Sequence, residues 1–282
     1  MRKIKNRLQS LLKRVGLYER LKTSFIYDIY WRIMDDQYIN ARSKEVEFYR
    51  KLLEGFQAGD LILDIGANDG TKANIFLRVG ARVVAVEPDE HNQEVIRQRF
   101  LGYRLFKKPV TIVGKAVSDR NAVETMWINA PGSWMNTLNP KWVETLKGDS
   151  TRFGMILEFG QKKEVPTVTM EVLFKEHGLP FFVKIDVEGY EVNVLRGLRQ
   201  PVPYLSFEIN LPEFKSEGLQ CIELLKSVDS GGEFNYAVDL GRGLSLQRWL
   251  GSEEFLPVFN ERSEKCIEVF WRTGKRGNFV RK

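Results

Sequence analysis

The chain of 282 residues has little cysteine and histidine and no long apolar run. Its two cysteines, Cys221 and Cys266, lie far apart and form no C-x-x-C pair, which excludes a disulfide framework and a zinc pattern. No stretch approaches the roughly 18 consecutive apolar residues that a membrane-spanning helix needs. The N-terminus is basic but lacks the apolar segment of a secretory signal. These absences predict a cytoplasmic protein whose stability comes from an apolar core.

The positive charge is concentrated at the N-terminus. The net charge is +6, yet residues 1–34 alone hold nine Lys and Arg against two acids, so the rest of the chain is close to neutral. A domain that binds nucleic acid usually carries clustered Lys and Arg residues on its own surface. Because the rest of this chain is close to neutral, we expect no nucleic-acid partner. Apolar residues in 1–55 recur at three- and four-residue spacing, which predicts a basic helical arm or cap. This arm either packs on the body or makes peripheral contact with the inner membrane surface.

From residue 56 to residue 282 the pattern is that of an α/β domain. Short apolar runs alternate with helical segments, which is typical of βαβ units and of a parallel, doubly wound sheet buried on both faces. Residues 122–170 predict inserted strands and a substrate loop. The late apolar runs, 234–238 and 266–272, fit a closing antiparallel pair. The predicted core strands are 61–66, 81–88, 110–119, 181–189 and 204–210.

Two acids end the first two predicted strands. Asp64 precedes a turn that contains Gly66 and Gly70, and Glu87 ends the next strand. Glycine lets a ligand approach the backbone, and an acid about 20 residues further on is placed to accept hydrogen bonds from ribose hydroxyls. The turn reads D-x-G-x-x-x-G rather than G-x-G-x-x-G, which favours a nucleoside ligand without a pyrophosphate, with Asp64 facing its cationic end. The alternative is that both acids only cap the following helices.

A Ser-Asp pair, Ser118 and Asp119, follows the third predicted strand. A carboxylate at this point can reach an adenine amino group, although Ser-Asp pairs also form simple turns. The loop beyond it would cover the acceptor with flat aromatic faces that suit a sugar ring, or its aromatic residues would only pack the insert. The large side chains of this region are Trp134, Met135, Trp142 and Phe153.

Three ionisable residues alternate along the fourth predicted strand, at Lys184, Asp186 and Glu188. Alternation places them on one face, and a lysine among apolar neighbours needs a charged partner. Glu208 ends the next predicted strand and would lie beside them. Such carboxylates either provide a general base for a hydroxyl or hold a divalent cation that orients it. The sequence leaves both open, so a divalent metal is possible and no metal ligand is assigned.

Five segments resemble, in order, the FkbM family of S-adenosylmethionine (SAM) dependent methyltransferases. They are LILDIGANDG, VVAVEP, AVSD, VPTVTMEVLFKEHG and, most specifically, KIDVEGYEVNVLRG, and they cover roughly residues 60–215. The resemblance implies a class I methyltransferase (Rossmann-like) fold and SAM as the methyl donor. It also implies methyl transfer to a hydroxyl of a saccharide, glycolipid or related natural product. The competing hypotheses are an NAD-type oxidoreductase on the same sheet and a non-catalytic SAM-binding scaffold at a membrane surface.

Carried over by position, the resemblance assigns residues to two ends of the site. Asp186, Glu188 and Glu208 are expected at the reaction end. Asp69 and residues 71–72 depart from the family pattern. The resemblance places Asp64, Gly66, Asn68, Gly70 and Glu87 at the cofactor, and the residues expected to bind it also include Ala67, Pro88, Ser118, Asp119 and Asp186.

Overall fold

The structure of the protein is a computed structural model that describes residues 36–101, 110–147 and 157–274. Within these ranges no helix is both long enough and apolar enough to cross a membrane. Residues 1–34, for which a basic arm and a membrane contact are predicted, lie outside the described residues, so both stay predictions.

A central sheet of eight strands forms the body of the described chain, in the order β10-β9-β11-β8-β7-β1-β2-β3. Its parallel strands are β1 (Leu61–Ile65), β2 (Arg82–Val86), β3 (Val110–Val113), β7 (Phe182–Ile185) and β8 (Tyr204–Asn210). Its antiparallel strands are β9 (Glu233–Ala237), β10 (Leu250–Gly251) and β11 (Cys266–Arg272). The predicted mostly parallel sheet with a closing antiparallel pair, β9 and β11, is confirmed.

Helices cover both faces of this sheet, as a doubly wound fold requires. On one face, α1 (Asp36–Leu52) and α2 (Thr71–Val79) pack Tyr49 and Phe76 against Phe182 of β7. The apolar rows of the parallel strands are buried because both faces are covered. The remaining helices are α3 (Glu90–Arg99), α4 (Pro140–Leu146), α5 (Met170–His177), α6 (Glu191–Arg196), α7 (Lys215–Val228) and α8 (Ser252–Asn260).

The third predicted strand, 110–119, is wrong as a single element. β3 ends at Val113, and after residues 114–115 the chain enters a separate three-stranded sheet of order β4-β6-β5. In it, β4 (Ala116–Val117) pairs in parallel with β6 (Gln161–Val168), and β5 (Val123–Ile128) pairs antiparallel with β6. Both halves of the apolar run form strands, but the two strands belong to different sheets. Hydropathy alone therefore does not reveal the break between them.

Candidate active site

A cavity opens at the carboxyl ends of the parallel strands, where open α/β sheets bind their ligands. It is bounded by the loops after β1, β2 and β7, by Glu208 of β8 and by the insert between β4 and β6. The predicted site residues that line it are Gly66, Asn68, Glu87, Pro88, Asp186, Glu188 and Glu208. The two predicted ends of the site therefore share one cavity.

The turn after β1 is fixed to the end of β2 by hydrogen bonds. The N–H groups of Gly66 and Ala67 donate to the Val86 carbonyl oxygen at 3.0 and 3.1 Å. The Asn68 N–H donates to Glu87 Oε2 at 2.8 Å. Asn68 has a φ of 48°, in the left-handed region that asparagine enters more readily than most residues. This conformation points the Asn68 N–H at Glu87 and so holds that carboxylate at the cavity wall.

Gly66 and Gly70 are required by packing inside the protein. Both have a φ of 78°. A Cβ on Gly66 would lie 1.7 Å from the Asp186 carbonyl oxygen, and one on Gly70 would lie 2.9 Å from the Phe100 ring. The close approach that these glycines permit is to neighbouring backbone and to the end of α3, and the approach of a ligand to Gly66, which lines the cavity, stays a prediction. Gly70 and the nearly buried Ala67 do not line the cavity.

Glu87 is buried, and each of its carboxylate oxygens accepts a hydrogen bond. Oε1 accepts from the Asp89 N–H at 2.8 Å, and Oε2 accepts from Asn68. Burial raises the pKa of Glu87 to about 7, against these two hydrogen bonds, which lower it. A carboxylate oxygen has a second lone pair, so Glu87 can also accept hydroxyl donors from a ligand in the cavity.

Asp64 lies behind the turn rather than at the cavity surface. Its side chain is 1% exposed, and it accepts a hydrogen bond from the Ala73 N–H of α2. It stands opposite Lys184 in the β1–β7 register. Burial raises the pKa of Asp64 to about 6, and the Lys184 charge opposes this shift. The structure thus places Asp64 away from the predicted contact with a ligand cation, because strand alternation turns its side chain toward α2.

Asp186, Glu188 and Glu208 converge at the other end of the cavity. One carboxylate oxygen from each lies within 4.8 Å of the others, close enough to hold a divalent cation. Lys184 Nζ lies 2.6 Å from Asp186 Oδ2, so an ammonium group already neutralises part of this carboxylate cluster. Burial and the Asp186 charge raise the pKa of Glu208 to about 7. Burial above all raises the pKa of Glu188 well above its ordinary value.

The strand that precedes Asp186 and Glu188 is shorter than predicted. β7 ends at Ile185, and Glu188 lies in a turn with a φ of 51°. The Glu191 carboxylate holds the turn, because its Oε1 accepts hydrogen bonds from the N–H groups of Val187 and Gly189, each at 3.2 Å. Strand alternation therefore does not orient Glu188, whose carboxylate reaches the cluster from this turn. Its Oε2 is buried and has no hydrogen-bond partner among the described residues.

Ser118 and Asp119 lie beside the cavity and do not line it. Ser118 is fully buried, and its hydroxyl lies 3.1 Å from the Tyr190 hydroxyl and 3.2 Å from Glu124. Tyr190, which lines the cavity, also donates a hydrogen bond to Glu124. Ser118 therefore supports a cavity residue from behind, and the contact of Asp119 with adenine stays a prediction.

Several cavity residues escaped the sequence reasoning. Asn92 of α3, Lys115 before β4, Met126 of β5 and Tyr190 all line the cavity. They come from four separate elements, so no local pattern in the chain groups them. Only Tyr190 carried a signal, because it stands inside the KIDVEGYE segment.

The aromatic residues of the insert have different roles. Trp142 is fully buried and packs edge-on against Phe214, with ring centroids 5.2 Å apart. Met135 is also buried, whereas Trp134 is 51% exposed and lines the cavity. Phe153 lies outside the described residues. Trp142 and Met135 therefore pack inside the insert. Of the three described residues, Trp134 is the aromatic one that lines the cavity.

The departures from the family pattern have partners on neighbouring helices. Asp69 Oδ2 lies 3.0 Å from Arg99 Nη2, and the Thr71 hydroxyl accepts a hydrogen bond from Arg99 Nη1 at 3.0 Å. Lys72 Nζ lies 2.5 Å from Glu45 Oε2. These contacts fasten the start of α2 to α3 and α1.

A second groove, called the charged groove below, meets the cavity at Glu208, which lines both. It lies between α1, α2, β11 and the segment after β9, and no aromatic side chain of the described residues lines it. Its surface is therefore suited to a hydrophilic ligand. The other charged side chains that line it are Lys44, Glu45, Lys72, Asp239, Arg242 and Glu268.

Comparison with known proteins identifies several similar chains. Over 49 residues the chain is 39% identical to the chloroplastic ribosomal RNA small subunit methyltransferase of Arabidopsis thaliana, a match that covers 17% of this chain and 14% of that protein. The C-terminal domain of precorrin-6Y C5,15-methyltransferase from Rhodobacter capsulatus has a TM-score of 0.40 at 14% identity, covering 82% of this chain and 88% of that one. The plantazolicin methyltransferase BpumL, solved with SAH, has a TM-score of 0.41 at 10% identity, covering 88% and 89%.

The family assignment comes from a longer match. Residues 64–230 match the methyltransferase FkbM domain, which is more than half of the chain. The match contains the turn after β1, Glu87 and the whole carboxylate cluster. The predicted mostly parallel, doubly wound α/β sheet is present, and the chain belongs to the FkbM methyltransferase family.

Proposed function

We propose that the protein binds SAM in the cavity and transfers its methyl group to a hydroxyl of a saccharide, glycolipid or related natural product. The observation that carries this proposal is a single cavity with Glu87 at one end and the carboxylate cluster at the other. A nucleoside with an amino-acid tail matches that arrangement. Its ribose hydroxyls would donate to Glu87, and its ammonium group would face Asp186 and Glu188. Membership of the FkbM family supports the same cofactor.

The reaction end fits a cationic ligand. Glu188 Oε2 is buried without a partner among the described residues. Leaving such an oxygen unpaired costs about 1–3 kcal/mol or more, and a bound donor offsets that cost. Asp186 lies beside it and shares the cavity. These two carboxylates therefore replace Asp64 as the expected partners of the ammonium group.

Glu208 is the proposed general base. Bound SAM would supply an electrophilic methyl group on its sulfonium, and the acceptor oxygen would displace SAH from that methyl group. Glu208 faces both the cavity and the charged groove, so it can take the hydroxyl proton from an acceptor that enters by the groove. Catalysis then depends on holding oxygen and methyl carbon about 3–3.5 Å apart and aligned.

Lys184 favours proton transfer over a metal-assisted reaction. Its ammonium group lies 2.6 Å from Asp186 Oδ2 and already places a positive charge at the cluster. Burial lowers the pKa of Lys184, but the surrounding carboxylates, Asp186 foremost, raise it above its usual range. Lys184 thus stays charged, and a divalent cation would have to share Asp186 with it.

The charged groove supports a hydrophilic acceptor. Lys44, Lys72 and Arg242 are donors, and Glu45 and Asp239 are acceptors, along one surface. Saccharide hydroxyls both donate and accept hydrogen bonds, whereas an apolar acceptor would desolvate these charges without compensation. A glycolipid would in addition suit the basic N-terminal arm, whose attraction to an anionic membrane surface follows from its charge.

Incubation with methyl-labelled SAM and separate saccharide and glycolipid extracts tests the proposal, with the product identified by mass spectrometry. We expect a methyl ether on a saccharide hydroxyl from the wild type and almost none from Glu208→Gln. Glu253→Gln, on the exposed side of α8, is the matched control and should act like the wild type. Methylation at nitrogen or carbon, or none in any extract, would reject the proposal.

A further inference from the structure

The loop 130–139 crosses the cavity and is attached on both sides of it. On the β2 side, Asp89 Oδ2 accepts the Gly132 N–H at 2.9 Å and the Asn136 side-chain amide at 2.8 Å. Asp89 follows Glu87 by two residues and caps α3 by accepting the His91 N–H. This end of the loop is therefore fixed to the strand end that carries the proposed ribose contact.

The other end of the loop is fixed to the turn after β7. The Thr137 hydroxyl donates to the Glu188 carbonyl at 2.9 Å, and the Asn139 amide donates to the Gly189 carbonyl at 2.5 Å. The loop thus joins the two ends of the cavity through hydrogen bonds from its own residues. Trp134 stands between Gly132 and Asn136, the two residues that Asp89 binds, and it lines the cavity.

The cavity that Trp134 lines has room for a flat purine ring. Its lining also includes Pro88 after β2, Val117 of β4 and Met126 of β5, which are apolar, and Asn92, which is polar. A nucleobase attached to a ribose at Glu87 would lie among these residues. An indole ring is a good stacking surface for a base, and such contacts are sequence-independent and strong.

We propose that Trp134 contacts the nucleobase of the bound nucleoside, and that Asp89 is a positioning residue that holds Trp134 through the loop. The inference rests on the proposed function, since it takes the cavity ligand to be an adenosyl compound. It assigns the loop to the cofactor, whereas the sequence had suggested a cover for the acceptor. Trp134 is half exposed, so its replacement removes little from the core.

Titration calorimetry with SAH and with adenosine tests the role of Trp134. We expect Trp134→Ala to weaken the binding of both ligands by the same factor, about 5- to 100-fold, because adenosine has the nucleobase and ribose of SAH without its amino-acid tail. Trp134→Phe should recover most of the affinity. Trp249→Phe, which changes a tryptophan outside the cavity, should bind like the wild type. Binding of both ligands by Trp134→Ala within twofold of the wild type would overturn the inference.

A double-mutant cycle tests the role of Asp89. Asp89→Ala removes both carboxylate oxygens and with them the loop contacts, and we expect it to weaken SAH binding several-fold when Trp134 is present. In the Trp134→Ala background it should have almost no further effect. Equal effects in both backgrounds would show that Asp89 does not act through Trp134. If the wild type binds neither SAH nor adenosine, the proposed function itself fails, which is a different result from an unchanged Trp134→Ala.

Discussion

The Asn68 N–H donates a 2.8 Å hydrogen bond to Glu87 Oε2, and this bond joins the turn after β1 to the end of β2. The backbone N–H of Asp89 donates to the other carboxylate oxygen, Oε1. Glu87 is therefore held in one orientation at the cavity wall. A carboxylate fixed in this way needs no reorganisation to accept two ligand hydroxyls. The nucleoside end of the site is thus built into the two strand ends.

Glu87 should make SAH binding depend on pH. Its pKa of about 7 in the free protein means that the carboxyl is mostly protonated at pH 6 and ionised at pH 8. Only the ionised form accepts two hydroxyl donors, so binding should strengthen about tenfold from pH 6 to pH 8 and then level off. Calorimetry at several pH values measures this.

Glu87→Gln is the control for that titration. It should weaken SAH binding about 10- to 100-fold at pH 8, since hydrogen bonds to a charged acceptor contribute about 1.5–3 kcal/mol to the binding free energy. The variant should also show a much flatter pH dependence. A wild-type affinity that is constant from pH 6 to pH 8, or a variant with the full wild-type slope, would contradict the role of Glu87.

Glu208 should affect the chemical step and leave cofactor binding largely intact. Glu208→Gln removes the proposed base, and loss of a general base lowers kcat by about 10²–10⁴-fold. Its SAH dissociation constant should stay within a few-fold of the wild type, because Glu208 is at the groove rather than at the nucleoside end. Single-turnover methyl transfer and calorimetry separate the two effects. An unchanged kcat would remove Glu208 from the reaction.

Chelation should not abolish activity. Lys184 already supplies positive charge beside Asp186, so methyl transfer after treatment with EDTA should equal the untreated rate. The comparison is made on the same preparation before chelation, after it, and after Mg²⁺ is restored. A rate that collapses with EDTA and returns with Mg²⁺ would show that the carboxylate cluster holds a required cation.

Gly66 should be intolerant of substitution for structural reasons. Gly66→Ala places a Cβ 1.7 Å from the Asp186 carbonyl oxygen at a φ of 78°. Left-handed strain and overpacking together should cost about 2–5 kcal/mol of unfolding free energy. Gly160→Ala, with nothing within 4 Å of the added Cβ, should change stability by less than about 0.5 kcal/mol. Urea denaturation compares them, and equal stabilities would contradict the packing argument.

The sequence was informative wherever one element decides the structure. Apolar runs located β1, β2 and β8 within a few residues, and strand-end acids marked Glu87 and Glu208. It failed where tertiary contacts decide. The run 110–119 is divided between two sheets, and Gly66 is required by a carbonyl that lies 120 residues away in the chain.

The direction of side chains was the second feature that the sequence did not predict. Asp64 ends its strand as expected, yet alternation buries it against α2 and leaves the cavity to Gly66 and Asn68. Glu188 reaches the cavity, but from a left-handed turn that no alternating pattern describes. Asp89 and its hold on the loop 130–139 depend on a pairing 43 residues apart, which periodicity does not reveal.

The central claim is that the cavity takes an adenosyl amino acid rather than a dinucleotide. Titration calorimetry of the wild-type chain with SAH and with NAD, in one buffer at pH 8, tests it most directly. SAH should bind at least about tenfold more tightly than NAD, a difference of about 1.4 kcal/mol. Tighter binding of NAD, or no binding of SAH, would contradict the account.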